Sequence, residues 1–159
     1  VGGGLVVNGE VISGRHGIGG EWGHIFLDDS GGNCYCGKVG CAERILSGPH
    51  LEAYYEKISG VHLPMHEIAS RSLVGEDEFA VQTIDRMTRF FGKGISYIIN
   101  IVDPDAIILG GGLGNIEALY TKGLEHTLPH VFNPVLNTKI LKPNLGDSAG
   151  VFGAALLTA

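Results

Sequence analysis

Cysteine is scarce in this sequence and odd in number: Cys34, Cys36 and Cys41 are the only three in 159 residues. So small and odd a set excludes the disulfide framework that staples small secreted domains, and Cys34 and Cys36 are too close to bridge comfortably to each other. Charge is sparse as well, with 18% charged residues and 11 Lys and Arg against 17 Asp and Glu. The formal charge of −6 gives no general attraction to nucleic acid or anionic membranes, while leaving room for a local basic patch. No apolar run reaches the roughly 20 residues that cross a bilayer as a helix, and no signal-peptide pattern opens the sequence. What is present is 44% hydrophobic residues, which in a chain of this length suits one globular domain with a sizeable core. Reduced thiols with the look of metal ligands point to the cytoplasm.

All three thiols fall in Cys34-Tyr35-Cys36-Gly37-Lys38-Val39-Gly40-Cys41-Ala42-Glu43, which begins ten residues after the histidine of Gly19-Gly20-Glu21-Trp22-Gly23-His24. Three thiolates and one imidazole are the donor set of a closed, four-coordinate structural zinc site. Gly37 and Gly40 allow the tight turns that return Cys41 toward the first pair. His24, Cys34, Cys36 and Cys41 are therefore the expected zinc ligands. The competing reading is three reduced thiols packed as small hydrophobes beside an unrelated histidine.

The remaining segments read as alternating strands and helices. Val1 to Ile12 reads as a hairpin turning at Asn8-Gly9, entered partway through its first strand. A start at Val1 and this clipped strand suggest a fragment of a longer protein. Gly2, Gly3 and Gly4 suit either backbone amides facing a ligand or a closely packed sheet edge. Trp22 to Leu27 reads as a short strand. A helix is expected from Gly48-Pro49 to Ser59, then a connecting stretch from His62 to Ser72 with a short helix. The longest helix is expected over about Glu76 to Val102, burying Ala80, Ile84, Met87, Phe91, Ile95, Ile98 and Val102. Asp103-Pro104-Asp105 stops it, and Ala106 to Leu109 reads as a buried strand. Gly110-Gly111-Gly112 and a helix from Ile116 to Leu128 follow. Strand, glycine turn and helix is how α/β proteins offer amides to a phosphate, although a purely structural turn fits the glycines too. No dinucleotide fingerprint or P-loop is present. A last strand over Thr138 to Leu141 and a closing helix over Ser148 to Thr158, with Asp147 as a cap, complete the chain.

Gly20-Glu21-Trp22-Gly23-His24, Cys34-x-Cys36-Gly37-x-x-Gly40-Cys41-x-Glu43, Asp103-Pro104-Asp105-Ala106-Ile107-Ile108-Leu109-Gly110-Gly111-Gly112 and Gly153-Ala154-Ala155 resemble the ROK family of repressors, open reading frames and sugar kinases. The resemblance covers essentially the whole chain. It implies an α/β fold of ribonuclease-H-like, actin/hexokinase type, with residues 1–159 as the C-terminal lobe of a two-lobe sugar kinase and an inserted zinc loop over 24–41. The family's opening Asp-x-Gly-x-Thr phosphate loop and its catalytic aspartate are not in this sequence, so the fragment alone should be inactive. The intact protein should phosphorylate a hexose or N-acetylhexosamine with ATP and Mg²⁺, in the manner of the fructokinases, glucokinases and N-acetylglucosamine kinases. By the same resemblance Glu21, His24 and Glu43 bind sugar hydroxyls, with His24 also a zinc ligand, and Gly2, Gly3, Gly4, Gly110, Gly111 and Gly112 line the ATP site. Standing alone, Glu21 and Glu43 would read as surface carboxylates. Arg44 departs from the family pattern, which more often has threonine or asparagine there, and borders the expected pocket. A homodimer is what the family suggests.

Two other functions share this lobe: a sugar-responsive repressor carrying a helix-turn-helix, the one reading with a nucleic-acid partner, and a sugar-binding remnant without activity. Leu46-Ser47-Gly48, the Asp-Pro-Asp strand with its three glycines, and Gly146-Asp147-Ser148 resemble the kinases more.

Overall fold

The computed structural model describes residues 1–150. The chain divides into two units, Val1–Leu51 and a second that begins at Glu52. Gly153-Ala154-Ala155, most of the helix expected over Ser148 to Thr158, and the side chain of Asp147 lie outside the described residues.

The first unit opens with the expected hairpin. Strands β1 (Val6–Val7) and β2 (Glu10–Val11) pair antiparallel, with Val6 opposite Val11. Asn8 and Gly9 both take positive φ, 53° and 81°, the two-residue turn whose twist matches that of the flanking strands. The strand expected over Trp22 to Leu27 is instead a 3₁₀ turn at Trp22–His24. Trp22 is held by its own surroundings: its Nε1 donates to the Gly2 carbonyl at 2.9 Å, and a Cβ on Gly3 would sit 2.7 Å from its ring. Gly23 must be glycine because a Cβ there would overlap the Val1 carbonyl. Helix α1 (Glu43–Leu46) follows, and then α2 (Gly48–Ser59), which matches the expected bounds and belongs from Glu52 onward to the second unit. Leu27, Cys41, Ala42, Ile45 and Leu46 are buried at the centre of this unit.

The second unit is built around α4 (Glu78–Val102), preceded by α3 (Met65–Val74). Asp77 caps α4 as its side chain accepts from the Ala80 amide at 3.0 Å. The other carboxylate oxygen accepts from the buried Tyr55 hydroxyl at 2.7 Å. Burial alone would raise the Asp77 pKa, but these bonds and Arg71 together hold it below the usual carboxylate range. The apolar stripe is buried at Ala80, Ile84, Met87, Phe91 and Ile95 as expected, then turns from Ile98 to Ile99, and Val102 is 37% exposed. Helix α5 (Lys122–Thr127) lies against α4 at two glycines. A Cβ on Gly92 would stand 2.5 Å from the backbone carbon of His126, and one on Gly123 would stand 3.0 Å from the Phe91 ring. Because backbone cannot swing aside, Gly92→Ala should destabilise the full-length protein by about 2 kcal/mol despite alanine's better helix propensity. Urea denaturation reads this as a lower midpoint, and an unchanged midpoint would place the close contact elsewhere.

Asp103, left-handed at φ 47°, ends α4. Strand β3 (Ala106–Ile108) then pairs in parallel with β4 (Lys139–Leu141), Ile107 opposite Ile140. The expectation of a buried strand is corrected: Ile108 is 63% exposed, in a sheet that has only two strands among the described residues. The continuous helix expected over Ile116 to Leu128 is also corrected. It is broken into 3₁₀ turns at Glu117–Leu119 and Leu128–His130 around α5, after a separate 3₁₀ turn at Gly112–Asn115. Thr121, at φ −114° and ψ −88°, interrupts the helical path, and the Tyr120 hydroxyl is drawn back to the Gly114 carbonyl at 2.7 Å. No described helix is long and apolar enough to cross a membrane.

Candidate metal and substrate site

Short backbone ties bring the four expected ligands together. The Cys34 amide donates to the Lys38 carbonyl at 2.8 Å and the Gly37 amide to the Cys34 carbonyl at 3.0 Å, curling Cys34 and Cys36 onto one side of a turn. Phe26 bridges to Cys41, while the Leu27 amide donates to the Gly40 carbonyl at 2.7 Å and the Ala42 amide to the Ile25 carbonyl at 3.0 Å. That pairing holds Cys41 beside the segment that follows His24. Gly40 is required twice over: its φ is 73°, and a Cβ would stand 2.6 Å from both the Asp28 carbonyl and the Phe26 ring.

The ligand atoms of His24, Cys34, Cys36 and Cys41 all lie within 4.8 Å of one another. Cys36 Sγ and Cys41 Sγ are 3.6 Å apart, and Cys34 Sγ is 3.7 Å from His24 Nδ1. Zinc–sulfur bonds of about 2.3 Å at tetrahedral angles would set sulfurs about 3.8 Å apart, which these two edges match and which a set spanning up to 4.8 Å reaches by drawing in around the ion. They do not suit a disulfide, which needs sulfurs about 2.0 Å apart, and all three thiols are free. Cys41 is wholly buried and Cys34 nearly so, whereas Cys36 is exposed at the rim. Burial, followed by the neighbouring thiols, pushes Cys41 up to about 12. The Lys38 backbone amide holds Cys36 down to about 7 against its own desolvation. A bound dication removes the difference, since coordinated thiols are deprotonated outright.

His24 has two faces. Nδ1 points to the cysteines, while Nε2 is 2.8 Å from the Tyr35 hydroxyl and 4.0 Å from Glu21 Oε2. The Tyr35 ring meets the imidazole edge-on, with centroids 5.1 Å apart. Desolvation and then the charge of Glu43, with Glu21 among the lesser causes, raise the Tyr35 pKa. Glu21, His24 and Tyr35 thus meet on the outer side of the ligand set, where the charge of Glu43 is also felt. The Glu43 carboxylate, at the start of α1, accepts from the α-amino group of Val1.

Arg44 does not border this cluster with a free guanidinium. Its Nε donates to the Gly31 carbonyl at 3.3 Å and its Nη1 to His50 Nε2, while His50 Nδ1 meets Ser47 Oγ at 2.7 Å. Burial and the Arg44 charge keep the His50 pKa low. The glycines are placed differently again. Gly2 and Gly4 would meet nothing on gaining a Cβ, Gly3 packs on Trp22, and Gly110, Gly111 and Gly112 face open space with Gly111 at φ 76°. The two runs belong to different units. Sequence reasoning passed over Tyr35 and His50. The one signal for Tyr35 was its place between two ligands.

A sequence model of the ROK family matches residues 1–159. The N-acetyl-D-glucosamine kinase of Pectobacterium atrosepticum is 37% identical over 168 residues, covering 99% of this chain and 55% of that protein. The chain therefore spans about half the length of the curated relatives it matches. A ROK family glucokinase from Streptomyces griseus, solved in complex with glucose and AMPPNP, aligns with 98% of this chain and 56% of its own at a TM-score of 0.86 and 26% identity. A ROK family transcriptional regulator, a homologue of the Escherichia coli MLC protein, aligns with 87% of this chain and 38% of its own at 0.74 and 28% identity. These likenesses bear out the expected α/β fold of ribonuclease-H-like, actin/hexokinase type.

Proposed function

The chain belongs to the ROK family, and on that premise we propose that the whole protein transfers the γ-phosphoryl group of ATP, with Mg²⁺, to a hydroxyl of a hexose or N-acetylhexosamine. The observation that carries this reading is the two-sided His24, with Nδ1 turned to the thiols and Nε2 turned outward to the Tyr35 hydroxyl and the Glu21 carboxylate. Carboxylates accept hydrogen bonds from hydroxyls, and an imidazole fixed on one nitrogen presents the other in a single tautomer and direction. Glu21, His24 and Glu43 accordingly hold the sugar. When bound, zinc supplies the charge and rigid geometry that order this loop; His24, Cys34, Cys36 and Cys41 hold it in a structural role.

Residues 1–159 form the C-terminal lobe of the kinase in this reading, with the zinc loop at 24–41, and Gly2, Gly3, Gly4, Gly110, Gly111 and Gly112 line the ATP site. The base that takes the acceptor proton is an aspartate of a preceding lobe, so this chain alone is inactive. The protein acts in the cytoplasm as a homodimer. The regulator reading has the MLC homologue's likeness in its favour, but the kinase aligns over more of the chain and at a higher TM-score. ADP release by the full-length protein, assayed with glucose, fructose, N-acetylglucosamine and N-acetylmannosamine, tests the choice. Sugar-dependent ADP release is expected. DNA binding relieved by sugar, with no ADP formed, would hand the function to the regulator.

A further inference from the structure

Tyr35 is used by nothing described so far, yet its hydroxyl stands on the atom that the sugar reading needs. With Nδ1 of His24 committed to the cysteine side, the ring's single proton is on Nε2, which can donate one strong hydrogen bond. The phenolic oxygen of Tyr35 is already there at 2.8 Å. A sugar hydroxyl and this phenol cannot both accept that bond. Among the described residues nothing bulky holds the phenol in place: Tyr35 is 82% exposed, and its ring's one aromatic contact there is the imidazole edge. Its backbone lies between two ligands, Cys34 and Cys36, so the ring can swing from a fixed point by side-chain rotation.

We propose that Tyr35 is a placeholder for the sugar: its hydroxyl occupies His24 Nε2 when the site is empty and leaves when a sugar hydroxyl takes the same bond. This rests on the sugar-kinase reading of Glu21, His24 and Glu43. In the empty site the phenol keeps Nε2 partnered and the imidazole aligned. On binding, one hydrogen bond is exchanged for another, so part of the sugar's contact is spent displacing Tyr35.

The test is calorimetric titration of full-length, zinc-loaded protein with glucose, fructose and N-acetylglucosamine in the absence of ATP, using wild type and Tyr35→Phe. Phenylalanine keeps the edge-on ring and removes only the competing oxygen. Tyr35→Phe should bind the preferred sugar about five-fold more tightly, the worth of one ordinary hydrogen bond, with zinc content unchanged at one per chain. Equal or weaker binding by the variant overturns the proposal, and loss of zinc would make Tyr35 a fixed support of the metal ligand instead. Tyr35→Ala gives the same reading if the phenylalanine variant folds poorly. Wild type that binds none of the sugars overturns the sugar-site reading and the placeholder together, whereas wild type that binds as tightly as both variants overturns the placeholder alone.

Discussion

Full-length protein carrying Cys41→Ala is expected to come off purification with far less than one zinc per chain and with a clearly lower melting temperature than wild type. Cys41 is the fully buried member of the ligand set, so no water can take its place without opening the unit's centre. Structural zinc sites hold their ion with roughly 10–16 kcal/mol. Losing one ligand in four should then weaken binding by about 3–4 kcal/mol, or some hundred- to thousand-fold. The loss reaches beyond the metal because the Cys41 segment pairs with the residues that follow His24. Elemental analysis and a thermal melt check both parts. A variant that melts like wild type and has never held zinc would return the thiols to the role of plain buried hydrophobes.

The second large effect falls on the phosphoryl transfer proposed for the full-length protein. Glu43→Gln removes the charge but not the shape of a side chain that sits at the start of α1, two residues after the last cysteine. Hydrogen bonds to a charged partner contribute about 1.5–3 kcal/mol, so kcat/KM for the sugar should fall about 10- to 100-fold. Glu43 is argued to grip hydroxyls that do not react, so the change should lie mainly in a raised sugar KM, leaving the KM for ATP and the zinc content alone. Steady-state kinetics with the sugar varied at saturating ATP read this directly. A variant with wild-type sugar KM would remove Glu43 from the site.

That His24, Cys34, Cys36 and Cys41 come together was legible in the sequence for a physical reason. All four ligands fall within residues 24–41, and the two glycines that close the turns, Gly37 and Gly40, both take the positive φ that their type suggested. Asn8-Gly9 announced its hairpin turn in the same local way, and α4 announced itself by period and by the Asp77 cap. What the sequence concealed depends on partners distant along the chain. Trp22 to Leu27 has a strand's composition, but Trp22 packs on Gly3 and Gly23 on Val1, which favours a 3₁₀ turn. The Ile116 to Leu128 helix is interrupted at Thr121, and the fit of Gly123 to Phe91 cannot be seen within the segment itself. Ala106 to Ile108 is apolar enough for a covered sheet, yet its composition does not say how many strands pair beside it. Tyr35 is exposed and belongs to no periodic pattern, so only the placement of its hydroxyl on His24 gives it a role. Arg44, expected at the pocket's border, is drawn instead to Gly31 and His50.

The account's central claim is that one imidazole serves both the metal loop and the sugar. Sugar affinity of the full-length protein, measured by titration before zinc removal with a chelator, after removal, and after zinc is restored, tests it most directly. Affinity should fall at least tenfold on removal, in line with the loss of an ordered ligand partner, and return with the metal. Unchanged sugar affinity in metal-free protein that is still folded by circular dichroism would contradict it.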